Sequence, residues 1–155
     1  MSGAGGPLRL TALLDDYPHL AGLKDGTLSS PRLSFAFADV KPVTSGFGMM
    51  AERQAFDFAE MAIVTFLQAF AFGKPIVLLP AVILNRFHHG SIICRSGGPI
   101  NAPADLNGKK IGVRAYTQTT GVWVRGIYHA EYGLDLASVT NITTGERELI
   151  KITGP

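Results

Sequence analysis

Between residues 112 and 134 the chain reads GVRAYTQTTGVWVRGIYHAEYGL, the pattern of a strand end, a polar turn and a helix. Tyr116, Gln118, Thr119, Thr120 and Arg125 surround the expected helix start. The first amides of a helix have no intrahelical partner, and the macrodipole adds partial positive charge there. Backbone alone therefore stabilises an anion at such a place. Thr117, Thr119 and Thr120 can cap the helix or donate hydroxyls, and Gly121 allows close approach to the first turn. A plainer alternative stays open on composition: the threonines only cap the helix and Tyr116 packs. Further along, Trp123, Ile127 and Ala130 share one helical face, with Val124 and Tyr128 beside it, and Gly133 is a natural stop.

Other residues have side chains suited to acid–base work. Glu60 lies among apolar neighbours in FDFAEMAIV, where a carboxylate is costly unless paired, so a function and a salt bridge account for it equally well. His88 and His89 are adjacent, so on an extended strand they point to opposite faces and one of them reaches a site. Tyr17 and His19 follow the first expected strand, at the carboxyl end where open α/β sheets take ligands. Loop residues of that kind are more often solvated. Arg125 is expected to be solvated or salt-bridged. There is no His-x₃-His or cysteine-rich spacing, so a metal held by Glu60 and one histidine has little support and no cofactor is assigned. The absence of G-x-G-x-x-G and of a P-loop argues against nucleotides.

The elements that must position these groups come from a chain of 155 residues, enough for one ordinary domain or two very small ones. A hydrophobic fraction of 46% supplies a core, and a net charge of +2 without basic runs gives no case for nucleic acid. Cys94 is the single cysteine, which excludes a disulfide framework and predicts a buried, inert thiol. MSGAGGPLRLTALLDD lacks a basic start followed by a long apolar stretch, so the expected compartment is the cytoplasm. The apolar segment 62–84 is broken by Gln68, Gly73, Lys74, Pro75 and Pro80, and reads as a buried helix, a turn and a buried strand rather than a membrane span.

LRLTALL is a strand candidate, and Leu33, Phe35 and Phe37 alternate with Ser34, Ala36 and Ala38 as a half-buried strand. KPVTSGFGMMAERQA is a loop with a short helix near Met49 to Gln54. FDFAEMAIV is a strand or strand-to-helix junction, and TFLQAFAF a helix ended by Gly73. KPIVLLPAVIL and GSIICR are apolar, β-branched runs of strand length. SGGPINAPADLNG is a linker, KKIGVR a strand, and ASVTNIT another after the helix. Strands alternating with helices predict an α/β fold with mostly parallel sheet.

PADLNGKKIGV followed by a threonine-rich helix start resembles the entry to the second lobe of type II periplasmic-binding-protein-like folds. The longer run RFHHGSIICRSGGPINAPADLNGKKIGVRAYTQTTGVWVRGIYHAEYGLDL resembles the 4,5-dihydroxyphthalate decarboxylase family, and FDFAEMAIVTFLQAF is similar to its first-lobe segment that places an acidic residue at the cleft. The resemblance runs from about Leu8 to Gly145 and is strongest over residues 86–134. It implies a cytoplasmic protein with two lobes, residues 1–95 and 96–155, clamping a ligand. Family members return to finish both lobes, so this chain, ending in TTGERELIKITGP, reads as an N-terminal half, incomplete at the C-terminus. An unfinished sheet edge then favours self-association into a homo-oligomer.

The activity implied is decarboxylation of an aromatic dicarboxylate in phthalate degradation. Such a site needs donors for carboxylates, a general acid and a base. The helix start at Tyr116, Gln118, Thr119 and Thr120 would hold a carboxylate, with Arg86 or Arg114 as its bidentate partner and Tyr17 nearby. Glu60, His88 and His89 are the acid–base candidates. The partner is a small aromatic carboxylate, with no nucleic acid and no membrane. The alternatives are a solute-binding component of an ABC-type transporter and an inactive fragment of the enzyme.

Overall fold

The computed structural model describes residues 6–143. The readings made on the first five residues and on the closing segment 144–155 lie outside the described residues. Contacts divide the chain into two compact units, residues 6–62 with 66–78, and residues 63–65 with 79–143.

The first unit is built on a three-stranded parallel sheet. Its strands are β1 (Leu8–Leu13), β2 (Leu33–Phe37) and β3 (Phe58–Ala59), in the order β2-β1-β3. Register runs from Leu8 opposite Leu33 to Ala12 opposite Phe37 on one side of β1, and pairs Ala12 with Phe58 and Leu13 with Ala59 on the other. β1 is central, and its Ala12 and Leu13 are buried together with Leu14, which follows it. Between the strands lie the short helix α1 (Ala21–Lys24), entered by a 3-10 turn over Pro18–Leu20, and the helix α2 (Ser45–Arg53). α3 (Ile63–Ala71) follows β3 and stops at Gly73, whose φ of 70° suits a residue without Cβ.

α2 begins earlier than the glycines of TSGFG suggest, because tertiary packing outweighs weak propensity. Gly46 is buried against Leu13, so close that a Cβ on it would lie 2.3 Å from Leu13 Cδ2. Leu13, Val43 and Phe56 form the core there, with Phe47, Met49 and Met50 packed around them. Lys74 Nζ and Glu52 Oε2, 3.2 Å apart, join α2 to the segment after α3.

The second unit holds β4 (Lys110–Val113), α4 (Thr119–Tyr132) and β5 (Thr140–Thr143). β4 and β5 pair in parallel, Lys110 with Thr140 through Val113 with Thr143. α4 ends at Gly133, φ 64°, where the amides of Gly133 and Leu134 return to the carbonyls of His129 and Tyr128. The buried side chains are Tyr128 and Leu134, so α4 turns inward the line Gly121, Val124 and Tyr128 around a gap of about 40 Å³. The expected face differs: Trp123 and Ala130 are exposed.

Two further expectations are overturned. KPIVLLPAVIL and GSIICR form no strand: Val77, Phe87 and Ile93 are 85%, 90% and 91% exposed. Apolar β-branched content makes a strand only where a neighbour satisfies its amides, and Pro75 and Pro80 have none to offer. Cys94 is exposed rather than buried. The linker contains one ordered turn, Pro103–Leu106, in which the Asp105 carboxylate accepts the amides of Asn101 and Ala102 at 2.8 and 2.9 Å.

Candidate functional site

In the first unit the chain leaves β1 for β2 on one side, then crosses to β3 on the other. The loops after β1 and β3 therefore leave from the carboxyl ends of neighbouring parallel strands, the end at which open α/β sheets take ligands. Tyr17 stands in the first of these loops and Glu60 opens the second.

β3 has two residues, yet it is fastened at both ends. The Asp57 carboxylate accepts the Thr11 amide at 2.8 Å and the Thr11 hydroxyl at 2.7 Å, bonds that hold Asp57 below the usual carboxylate range. At the other end the Glu60 amide donates to the Leu13 carbonyl at 2.9 Å. The backbone of Glu60 is thus placed by the buried central strand.

The Glu60 side chain is 8% exposed. Its Oε1 accepts the Tyr17 hydroxyl at 3.1 Å, while Oε2 is buried and without a hydrogen-bond partner among the described residues. Burial pushes the Glu60 carboxyl up from its ordinary value, opposed in part by the Tyr17 hydroxyl. Burial, with the Glu60 charge adding to it, pushes the Tyr17 phenol up to about 12, so Tyr17 stays a donor at neutral pH. The Tyr17 ring stacks on His19, centroids 5.4 Å apart. Lys24 Nζ donates to the Leu14 carbonyl at 2.8 Å and to Asp16 at 2.5 Å, and lines with Asp16, Tyr17, Pro18 and Ala21 an open depression of about 470 Å³.

In the second unit the turn from β4 to α4 is held from below by Arg125. Its Nη2 donates to the Tyr116 carbonyl at 2.7 Å, and its guanidinium lies 3.8 Å from the centre of the Tyr116 ring. Arg125 is half-buried, with Nη1 unpartnered and no salt bridge to it among the described residues. The helix N-cap is Gln118, which makes no side-chain capping bond, so the threonines do not serve as the N-cap. Thr119 Oγ1 accepts the Val64 amide at 3.4 Å, and Thr120 Oγ1 accepts Arg86 at 3.4 Å.

His88 stacks on Trp123, ring planes 9° apart and centroids 6.2 Å apart, with Nδ1 buried and unpartnered. Burial, helped by the Arg86 charge, lowers its pKa, so the imidazole is neutral at pH 7. His89 is exposed and begins a single 3-10 turn, His89–Ser91. One histidine turns inward and the other outward, as the adjacency implies, although the cause is a turn and not a strand.

The fold brings Tyr17 and Glu60 together in the first unit, and Arg86, His88, Thr119 and Thr120 around the start of α4 in the second, with Tyr116 seated on Arg125. No hydrogen bond links Arg114 or His89 to another candidate among the described residues, and both are exposed. Three contributors were missed from sequence. The Asp57 clamp on Thr11 had no signal, because its partner is 46 residues away. Trp123 read only as part of a helical face and is 51% exposed, and Lys24 carried no signal at all. Among the described residues no three His, Cys, Asp or Glu side chains gather as a metal set, and no helix is long and apolar enough to cross a membrane.

A family model described as NMT1/THI5 like matches residues 44–154. The 4,5-dihydroxyphthalate decarboxylase of Comamonas testosteroni is 30% identical over 147 residues, covering 94% of this chain and 44% of that protein. The 4,5-dihydroxyphthalate decarboxylase of Pseudomonas putida is 31% identical over 143 residues, 91% of this chain and 55% of that one. The chain spans about half the length of these curated relatives.

Proposed function

Since the chain belongs to the NMT1/THI5-like family and is related to 4,5-dihydroxyphthalate decarboxylases, we propose that it carries decarboxylase chemistry on an aromatic dicarboxylate. In this reading the fold is type II periplasmic-binding-protein-like, with a first lobe on the β1–β3 sheet and a second on the β4–β5 sheet. The observation that carries the reading is Glu60: a buried carboxyl pushed up from its ordinary value, with one oxygen unpartnered among the described residues, at the carboxyl end of a parallel sheet.

Losing a ring carboxylate requires the ring carbon to take a proton and the carbon–carbon electrons to find a sink. In 4,5-dihydroxyphthalate the hydroxyl para to the departing carboxylate provides both. A base takes the hydroxyl proton, the ring becomes a dienone, and an acid protonates the carbon bearing the carboxylate. The bond to carbon dioxide then breaks, its electron pair restores the aromatic ring as a phenolate, and the base returns its proton to that oxygen, leaving 3,4-dihydroxybenzoate. Within the first unit Glu60 is the acid candidate, with the Tyr17 hydroxyl beside it, because burial pushes its carboxyl up from the ordinary value. His88, neutral and with Nδ1 unpartnered, is the base, with His89 the exposed alternative. Within the second unit, the start of α4 with Gln118, Thr119, Thr120, Arg86 and Tyr116, and Arg114 beside it in sequence, offers a dipole and donors to a carboxylate.

The family match supports equally a solute-binding protein without turnover, and one experiment separates the two. The purified chain is titrated with 4,5-dihydroxyphthalate while carbon dioxide and heat are followed together. Carbon dioxide release is the expected result. Heat without carbon dioxide establishes the binder, and a folded sample giving neither refutes the proposal.

A further inference from the structure

Glu60 has two chemically different oxygens in this fold. Oε1 faces the Tyr17 hydroxyl at 3.1 Å, and Oε2 is equally shielded from water but meets no donor or acceptor among the described residues. An ionised carboxylate would carry charge on both oxygens, and a bare, buried, charged Oε2 is costly. A neutral carboxyl divides its roles: one oxygen is a carbonyl acceptor and the other bears the hydrogen. The Tyr17 hydroxyl is a donor, so it fits the carbonyl oxygen, which makes Oε1 the acceptor and leaves the hydrogen to Oε2. Stacking on His19 holds the Tyr17 ring in that pose.

We propose that Tyr17 is a positioning residue that keeps the Glu60 proton on Oε2, and that Oε2–H is the atom presented to a carboxylate oxygen of the bound aromatic acid. The second clause rests on the functional reading above; the first stands on the geometry alone. An acid facing a carboxylate shares its proton with it, whereas two ionised carboxylates would repel. Binding of the ligand therefore takes up a proton whenever Glu60 is ionised beforehand. The charged or titratable groups facing Glu60 are Asp15 and Tyr17 from the loop after β1 and Lys24 from α1. The Asp15 backbone and Lys24 favour the ionised carboxylate and the Asp15 charge opposes it, while the Tyr17 hydroxyl is the side-chain donor that Tyr17→Phe removes with the ring retained.

The experiment is a pH titration of the Glu60 side-chain carboxyl by ¹³C NMR in the whole chain, its signal assigned with Glu60→Gln, with and without saturating phthalate. Tyr17→Phe removes a donor to the ionised form, so the Glu60 midpoint moves to higher pH than in the unsubstituted chain. Phthalate moves it upward in both, by about one unit or more, because a like charge now faces the carboxyl. An unmoved midpoint in Tyr17→Phe overturns the positioning role. Binding heat from phthalate with an unmoved Glu60 midpoint overturns the placement of Oε2, while leaving the functional reading intact. Absence of both heat and carbon dioxide removes the functional reading and the second clause with it, and the Tyr17→Phe shift still decides the first. Should Tyr17→Phe not fold, the infrared carboxyl band of the unsubstituted chain answers instead. A hydrogen-bonded carbonyl stretch lost in Glu60→Gln supports the assignment, and a free-carbonyl position overturns it.

Discussion

Gly46→Ala probes the contact that sets the level of β1, and with it Glu60. A Cβ at residue 46 would stand 2.3 Å from Leu13 Cδ2 and 3.2 Å from Cδ1. Carbon atoms rest at ~3.5–4.0 Å, so Leu13 must leave its rotamer or α2 must move away from the sheet. Leu13 is among the fully buried side chains and has nowhere to go. Overpacking of this kind costs ~1–3 kcal/mol. Alanine returns up to about 1 kcal/mol through its better helix propensity. An approach of 2.3 Å puts the cost in the upper part of that range, so the net loss is about 1–2 kcal/mol, and at ~2–4 °C per kcal/mol for a chain of this size Tm falls by about 2–8 °C. Thermal unfolding followed by circular dichroism measures it. The control is Leu13→Ala, which alone costs ~2–5 kcal/mol and opens the space that the new methyl needs. In the double variant the Gly46→Ala penalty disappears, a coupling a mutant cycle reads directly. A Tm for Gly46→Ala equal to or above that of the unsubstituted chain, or strict additivity with Leu13→Ala, would refute the reasoning.

The pH dependence of stability carries the signature of Glu60. Its folded pKa lies above the unfolded one, so the native state binds more protons and stability falls as pH rises through that window. Glu60→Gln is therefore more stable than the unsubstituted chain at pH 7–8, and the gain shrinks on acidification toward pH 4; denaturant titrations at both ends show whether it does. His88 has the opposite sign: its folded pKa is lowered, so its contribution is lost as pH falls. Trp123 is the single tryptophan and stacks on that imidazole, so its fluorescence titrates with a midpoint below the ordinary histidine value, and His88→Gln abolishes the transition. Thr119→Ala with Thr120→Ala removes two hydroxyls at the start of α4 and weakens phthalate binding by about tenfold, near 1 kcal/mol or somewhat more. Unchanged affinity by calorimetry would show that the anion does not sit there.

Legibility followed the range of the interactions. β1, β2, β4, β5 and α4 were readable because each is announced by its own side chains, alternation in LSFAF and the glycine stop at Gly133 among them. The apolar runs after Lys74 misled, since β-branched composition records a preference for pairing and not the presence of a partner. The inward face of α4 was misassigned for a related reason. Trp123 and Tyr128 are both aromatic, and only the position of the β4–β5 sheet decides which one is covered.

By itself the sequence determined the α/β class, the parallel sense of the sheets, and the residue types able to do chemistry: Tyr17, Glu60, Arg86, His88 and the threonines at the start of α4. These follow from local period, turn chemistry and composition, which act over a few residues. Tertiary structure alone decided what those groups are. It set Glu60 against Leu13 and Tyr17, 43 residues from the latter, buried one oxygen and bonded the other. It also drew Arg125 beneath Tyr116 and laid His88 on Trp123. Burial and the identity of a distant neighbour set a side chain's charge and aim, and neither is written in the spacing of residues along the chain.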